Sequence, residues 1–423
     1  MKNTSLGPIK KFDKQRYLSE AEKLFGKGIV HWLSENSLDF LEEKREGVFL
    51  YDENGNKYID GYSSAGTYNL GRRHFKVQES LKKAINITDQ GNFIAMSGEK
   101  ALLAEKLADF FPNTIEGFLF SVVRGEAMDA ACKLARGFTG RSELMTVDGG
   151  WYGQTGFALS LSENEIKKKF GNLIPDTRTI PFNDQNAASK AISKKTAAVI
   201  IELIQTENGC REVDQAYLKN IRSLCDTHGV LLIIDETQTG FGRTGAKFSC
   251  DHFDILPDII VFGEAISSGL FPMCGMGFTS RVKKFFDEHP LIHMHTFGGH
   301  DIGCVVASDT LEIYEKMQPW NNAKHQGKRF RNMLEKLKTN YEPLIKIQGQ
   351  GLLLSLIFSA KEQARQFCIQ AKNNGVILLQ GEVESKSVII RPPLTISDEE
   401  IDMMTKAIEV ALKNLQLENK VIL

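Results

Sequence analysis

The residues of this chain with the clearest chemical potential stand where apolar runs stop. Asp235 follows the run 230–234, and a lone carboxylate at the end of a buried strand is costly unless something answers its charge. It either caps the next segment or faces a ligand, since open α/β sheets bind ligands at the carboxyl ends of their strands. Arg124-Gly125 sit at another strand-to-helix junction, the kind of place where backbone N–H groups and a helix N-terminus hold an anion. Trp151, in GGWYGQT, offers a flat face for stacking, although an isolated Trp is more often core. Arg391 could take a carboxylate bidentately, as Lys cannot, or be an ordinary structural or surface charge.

The elements that must position these groups are legible as patterns. The runs 199–204, 230–234 and 259–262 are continuously apolar, as expected of strands buried on both faces of a parallel sheet. Between the first two, Leu218, Ile221, Leu224 and Cys225 recur at helical spacing, and Gly229 offers a C-terminal stop. That is a β-α-β unit with Asp235 at its outgoing end. Residues 1–45 read as helical and charged, and 47–61 as two short strands around the turn pair Asn54-Gly55. Residues 62–75 read as a loop, and the stretch from there to about 112 as helical. Strand 118–123 leads into helix 126–136, and strand 144–147 follows. A long helix runs to about 317, then helices alternate with strands near 352–358, 376–379 and 388–391, and helix 398–415 closes the chain. This alternation predicts an α/β protein with a smaller α+β part.

Composition narrows the field. The chain has 423 residues, 42% hydrophobic and 25% charged, so it is long enough for more than one core and unlike a disordered chain. A net charge of −1 gives no bulk case for nucleic acid or an anionic membrane. The seven cysteines are scattered without metal spacing, which predicts no metal site, no disulfide framework and a reducing, cytoplasmic setting. The opening MKNTSLGPIKKF lacks the apolar core of a signal peptide, and no window is long enough to span a membrane.

Taken in order, YDENGNKYIDG, GGWYGQT, IIELIQTENG, IIDETQTGFGRTG, HTFGG and RPPLTISDEEI resemble the class III pyridoxal-phosphate aminotransferases, including the glutamate-1-semialdehyde aminomutase branch. The resemblance covers nearly the whole chain. It implies PLP fold type I: a mainly parallel large domain over 76–310, with a smaller α+β domain formed by 1–75 and 311–423. It also implies a homodimer whose active sites lie at the subunit interface. Asp235 then matches the partner of the cofactor's pyridinium nitrogen, keeping the ring protonated so that it can accept electrons. Gln238 matches the residue near the ring hydroxyl, and Trp151 the aromatic stacked on the ring. Thr296 matches the residue that reaches the phosphate from the neighbouring subunit. Glu207 and Arg391 match a pair in which the arginine grips a substrate carboxylate and the glutamate masks it in its absence. Tyr152 replaces the family's usual histidine.

Two positions depart from that pattern. The family motif runs approximately G-K-x-I-G-G-G, with the lysine forming the Schiff base; here the string is GEAISSG, with Glu264 in the lysine's place and no lysine between Lys247 and Lys283. A carboxylate cannot form an imine, and the missing general base is typically worth roughly 10²–10⁴ in rate. The family's phosphate loop, approximately N-S-G-[ST]-E-A, is here VVRGEA. Arg124 binds the phosphate, blocks the pocket or points to solvent. One expectation is therefore a lysine-free enzyme holding pyridoxal phosphate or, more naturally, pyridoxamine phosphate noncovalently. It would perform amino-transfer or dehydration chemistry on a small substrate, with Glu264 as the catalytic ion partner or proton shuttle. The alternative is an inactive homologue serving as a binding, regulatory or partner subunit, its pocket empty or given to another ligand. An engineered substitution at Glu264 is a third.

Overall fold

The computed structural model describes residues 13–92, 94–163 and 165–422. The first twelve residues, read above as part of a helical stretch, lie outside them. Helices α1 (Lys14–Phe25) and α2 (Lys27–Glu35) precede three antiparallel strands, β1 (Lys44–Glu46), β2 (Phe49–Tyr51) and β3 (Lys57–Asp60). The expected turn at Asn54-Gly55 joins β2 to β3. Asp52 organises it, accepting from the backbone N–H of Asn54 (2.9 Å) and Asn56 (2.8 Å) and from the Tyr58 hydroxyl (2.9 Å). The helical stretch expected up to residue 112 is two helices, α3 (Phe75–Ile87) and α4 (Gly98–Phe110), the second capped by the Ser97 hydroxyl.

The central sheet comprises β4 (Ile115–Ser121), β5 (Glu143–Val147), β6 (Thr177–Ile180), β7 (Thr196–Ile201), β8 (Leu231–Glu236), β9 (Ile259–Phe262) and β10 (Cys274–Thr279). Their spatial order is β4-β10-β9-β8-β7-β5-β6. Parallel pairing runs from β9 to β6, and β10 is antiparallel to both its neighbours. The β-α-β unit is present: helix α6 (Gln215–His228), following α5 (Arg124–Thr139), carries the chain from β7 to β8. Asp214 caps its start, accepting from Ala216 and Tyr217 N–H, and Gly229 ends it at φ 66°. The strands are apolar on every residue because each face has its own core. Met145, Val199, Ile201, Leu232, Ile234, Ile260 and Phe262 pack on one face, while Leu144, Ala198, Ile200, Leu231, Ile233, Ile259 and Val261 pack on the other.

The first strand was expected to run to residue 204 and stops at Ile201, because Ile204–Gln205 turns away to pair with Arg211–Glu212. After β10, α7 (Asp301–Met317) and α8 (Pro319–Asn340) lead to β11 (Leu344–Gln350), β12 (Leu353–Phe358), α9 (Lys361–Asn373), β13 (Val376–Ile377), β14 (Leu379–Gln380), β15 (Ser387–Ile390) and α10 (Asp398–Ile422). A four-stranded sheet in the order β11-β12-β15-β14 forms there, and β13 instead joins β3 in parallel. Val48 and Ile59 accordingly share one core with residues of the last hundred positions, such as Phe330, Leu356, Phe367 and Ile408. Among the described residues no helix is long and apolar enough to cross a membrane.

Candidate ligand site at the carboxyl ends of the central strands

Four charged groups converge where β4, β7, β8 and β9 end. Asp235, the penultimate residue of β8, is 2% exposed. Its Oδ1 accepts from the Thr237 backbone N–H (2.8 Å) and hydroxyl (2.6 Å), and its Oδ2 accepts from Arg124 Nη2 (2.9 Å). Both oxygens are therefore satisfied within the chain. Arg124 opens α5 directly after β4, with its guanidinium over the Trp151 ring, 4.4 Å from the centroid. The same Nη2 donates to the Trp151 carbonyl at 2.5 Å. Of the three destinations open to Arg124 from sequence, its place against Asp235 and across the indole corresponds to the one that fills the pocket. Burial opposes its charge, yet Asp235, Glu202 and Glu264 more than compensate, and its pKa stands above the ordinary arginine value.

Glu264 begins a short turn after β9 and points its Oε1 at the Arg124 backbone N–H, 3.1 Å away. Glu126 closes the neighbouring donor, its Oε2 accepting from Val122 N–H at 3.0 Å. The N–H groups of Val122 and Arg124, at the α5 N-terminus, are thus answered by the chain's own carboxylates. Gly125 is needed there for space: a Cβ would come within 2.6 Å of the Thr155 hydroxyl, which has no partner.

Glu202, immediately after β7, was not singled out above. It is 3% exposed and accepts from Trp151 N–H at 2.8 Å. Burial, then the Asp235 charge, pushes its carboxyl up to about 8, with Arg124 partly offsetting both. The cue was available: like Asp235, it is a carboxylate at the end of an apolar run. Glu236 also escaped notice. It anchors the loop after β8 by accepting from Ser249 N–H and hydroxyl (3.0 and 2.7 Å) and Cys250 N–H (2.9 Å). Arg243, fully buried in the same loop, donates to the Leu352 and Pro392 carbonyls and the Asn69 side chain. It ties the site loop to the C-terminal sheet, and burial pushes its pKa down to about 9.

Arg391 and Glu207 are brought together. Nη1 of Arg391 donates to Glu207 Oε1 at 2.7 Å and also to the Gln238 side-chain oxygen, Oε1. Both partners of the ion pair are nearly inaccessible, and the Tyr62 ring covers the guanidinium at 4.7 Å. Gln238 Nε2, Arg391 Nε and Trp151 Nε1 are buried without partners. Tyr152, fully buried, receives a bond from Thr146 (2.9 Å) and donates to the Ile200 carbonyl (3.2 Å), so it supports the wall behind Trp151. Thr296 is exposed on the single chain and makes no described contact with this cluster. Among the described residues no three His, Cys, Asp or Glu side chains group as a metal ion would require.

The fold has known counterparts. An ornithine aminotransferase from Toxoplasma gondii superposes with a TM-score of 0.89 over 97% of both chains at 24% identity. An acetylornithine aminotransferase from Elizabethkingia anophelis gives 0.82 over 96% of this chain and 100% of its own, at 25% identity. In sequence, an uncharacterized aminotransferase of Archaeoglobus fulgidus is 35% identical over 376 residues, 89% of each chain. An ornithine aminotransferase of Oceanobacillus iheyensis is 31% identical over 89% of this chain and 94% of its own. The profile of the Aminotransferase class-III family matches residues 33–412, and with PLP fold type I around this strand-end cluster the chain belongs to that family.

Proposed function

We propose that this chain is a class III family member that does not carry out lysine-dependent amino transfer, and acts instead as a small-molecule-binding or partner subunit. The observation that carries this reading is the Arg124 guanidinium, lying across Trp151 and bonded to Asp235. Class III aminotransferases use pyridoxal phosphate, so these residues can be tested against that group. A cofactor ring on Trp151 with its nitrogen at Asp235 needs the space and the carboxylate oxygen that Arg124 occupies. A phosphate at the α5 N-terminus would face Glu264, which already accepts from Arg124 N–H. A carboxylate beside a phosphate repels it. The residues present do not fit the cofactor, and this weighs against the lysine-free enzyme with Glu264 as shuttle. Glu264 supports the same conclusion, since it stands after β9 where an amine is required.

The substrate end is in better order. Arg391, Glu207, Gln238 and Tyr62 form a buried carboxylate-binding arrangement, with Glu207 now filling the place of the ligand anion. A small carboxylate competing with Glu207 is the ligand this supports. A second copy is part of the proposal, because Thr296 lies on a surface with exposed Leu291, Met294 and Phe297 beside it. Buried free thiols agree with a reducing compartment. Mass spectrometry of small molecules released from denatured, freshly purified protein tests the cofactor claim. The expected result is no pyridoxal or pyridoxamine phosphate, before or after incubation with either; stoichiometric recovery of one would overturn the proposal.

A further inference from the structure

We infer that the surface formed by Trp151, Asp235 and Glu202 is a receptor for a planar cation, and that Arg124 is its resident occupant, supplied by the chain itself. The inference deepens the proposal above and rests on it, since a pocket holding a B6 phosphate would have no room for this occupant.

Three features select flatness and charge together. The indole face lies 4.4 Å from the guanidinium carbon, a distance at which a flat cation gains from both stacking and the ring quadrupole. Asp235 Oδ2 and the Trp151 carbonyl both accept from the same edge of the cation, at 2.9 and 2.5 Å. Glu202, 3% exposed, accepts from the Trp151 backbone N–H at 2.8 Å and fixes the residue that supplies both the indole and the carbonyl. A compact ammonium could answer Asp235 but could not lie flat on the indole. A neutral ring could stack but would leave Asp235 Oδ2 buried without a donor, which is costly. The third acid, Glu264, does not reach the guanidinium; it holds the occupant's backbone N–H at 3.1 Å and fixes the residue from which the side chain enters. Both hydrogen bonds of the slot go to Nη2, and Arg124 Nε is buried without a partner, so the slot grips one N–H edge and the flat face of its occupant, as a guanidinium, an amidinium or a protonated N-heterocycle presents them.

Removing the occupant should expose this preference. Arg124→Ala protein is titrated with methylguanidinium chloride and, at matched low-millimolar concentration, methylammonium chloride, with wild type in parallel, by calorimetry and thermal melting. Methylguanidinium is expected to bind the variant at least about tenfold more tightly than wild type, the scale of one charge-assisted hydrogen bond with a stack. It should raise the variant's melting temperature while methylammonium does not. Equal responses to the two cations, or equal binding by wild type, would overturn the inference. Should the variant not accumulate as folded protein, the same pair of salts is added during refolding: recovery with methylguanidinium alone supports the slot, and no recovery with either sinks it.

A spectroscopic test separates this inference from the proposed function. Glu264→Lys protein is mixed with pyridoxal phosphate, alone and combined with Arg124→Ser. The double variant is expected to show an imine band, as the new amine condenses with the aldehyde and releases water, and the single variant is not, because Arg124 still holds the slot. Bands of equal strength would refute Arg124 as the occupant and leave the lysine argument intact. An imine band or turnover in wild type would refute the lysine argument instead.

Discussion

Replacing Glu202 with Gln tests whether a buried acid beside Asp235 limits stability at high pH. The folded protein holds the Glu202 proton up to about pH 8, against an ordinary value of 4.5. A group whose folded pKa is raised contributes stability fully below its unfolded pKa and loses it as pH climbs through the folded one. The window is therefore pH 4.5 to 8, with stability falling by at most about 1.4 kcal/mol per pH unit. Between pH 5.5 and 7.5 that amounts to roughly 2–3 kcal/mol. Glutamine has the shape of the protonated acid and keeps an oxygen for the Trp151 N–H, which Glu202 now receives at 2.8 Å. Urea unfolding of both proteins at pH 5, 7 and 8.5 reads the difference, and comparing the two cancels every other titrating group. The variant should match wild type at pH 5 and exceed it by roughly 3–4 kcal/mol at pH 8.5, less whatever Arg124 loses with one acid neighbour gone. A difference that does not change with pH, or wild type pulling ahead at pH 8.5, would refute the reasoning.

Gly125→Ala should destabilise by about 1–3 kcal/mol in the same urea assay, because the added methyl meets Thr155 Oγ1 at 2.6 Å and Cγ2 at 2.8 Å. Arg391→Ala strands Glu207, which is 4% exposed, and should cost about 3–5 kcal/mol. It should also weaken binding of small carboxylates selectively, measured by calorimetry; equal loss for neutral analogues would count against Arg391 as the carboxylate grip. All seven cysteines are buried, and burial pushes each thiol up. A colorimetric thiol reagent should therefore find none in the native protein and seven after denaturation; rapid native reaction would contradict the burial.

The parts of this fold that were legible were those in which one residue type answers one physical demand. Continuous apolar runs mark strands covered on both faces, so β9 was found at its actual bounds and β8 within two residues of its own, while the run read for β7 lay three residues too far along the chain. Strand β10 was missed because Gly275 and Gly277 interrupt its pattern, and glycine ordinarily weakens a strand. They are there because side chains would run into β4, at Leu119 and Phe118 respectively. The site was legible as residue identities but not as pairings. Asp235 and Arg124 are 111 residues apart and Arg124 and Glu264 are 140 apart, so no local pattern could say that one would answer the other. Reading Arg124 as a phosphate ligand, a plug or a solvent-facing residue considered its surroundings one at a time. The missing step was to ask which buried acid lacked a cation. Glu202 was overlooked for the same reason, although it satisfies the test that picked out Asp235.

The long loops closed by those two contacts bear on how the molecule comes into being. A relative that must capture a vitamin derivative to complete its interior depends on the supply of that vitamin while it matures. Here the charges that complete the interior are encoded, and they arrive whenever the ends of β4, β8 and β9 dock. Cells starved of vitamin B6 should accumulate this protein at the same level and with the same protease resistance as well-fed cells.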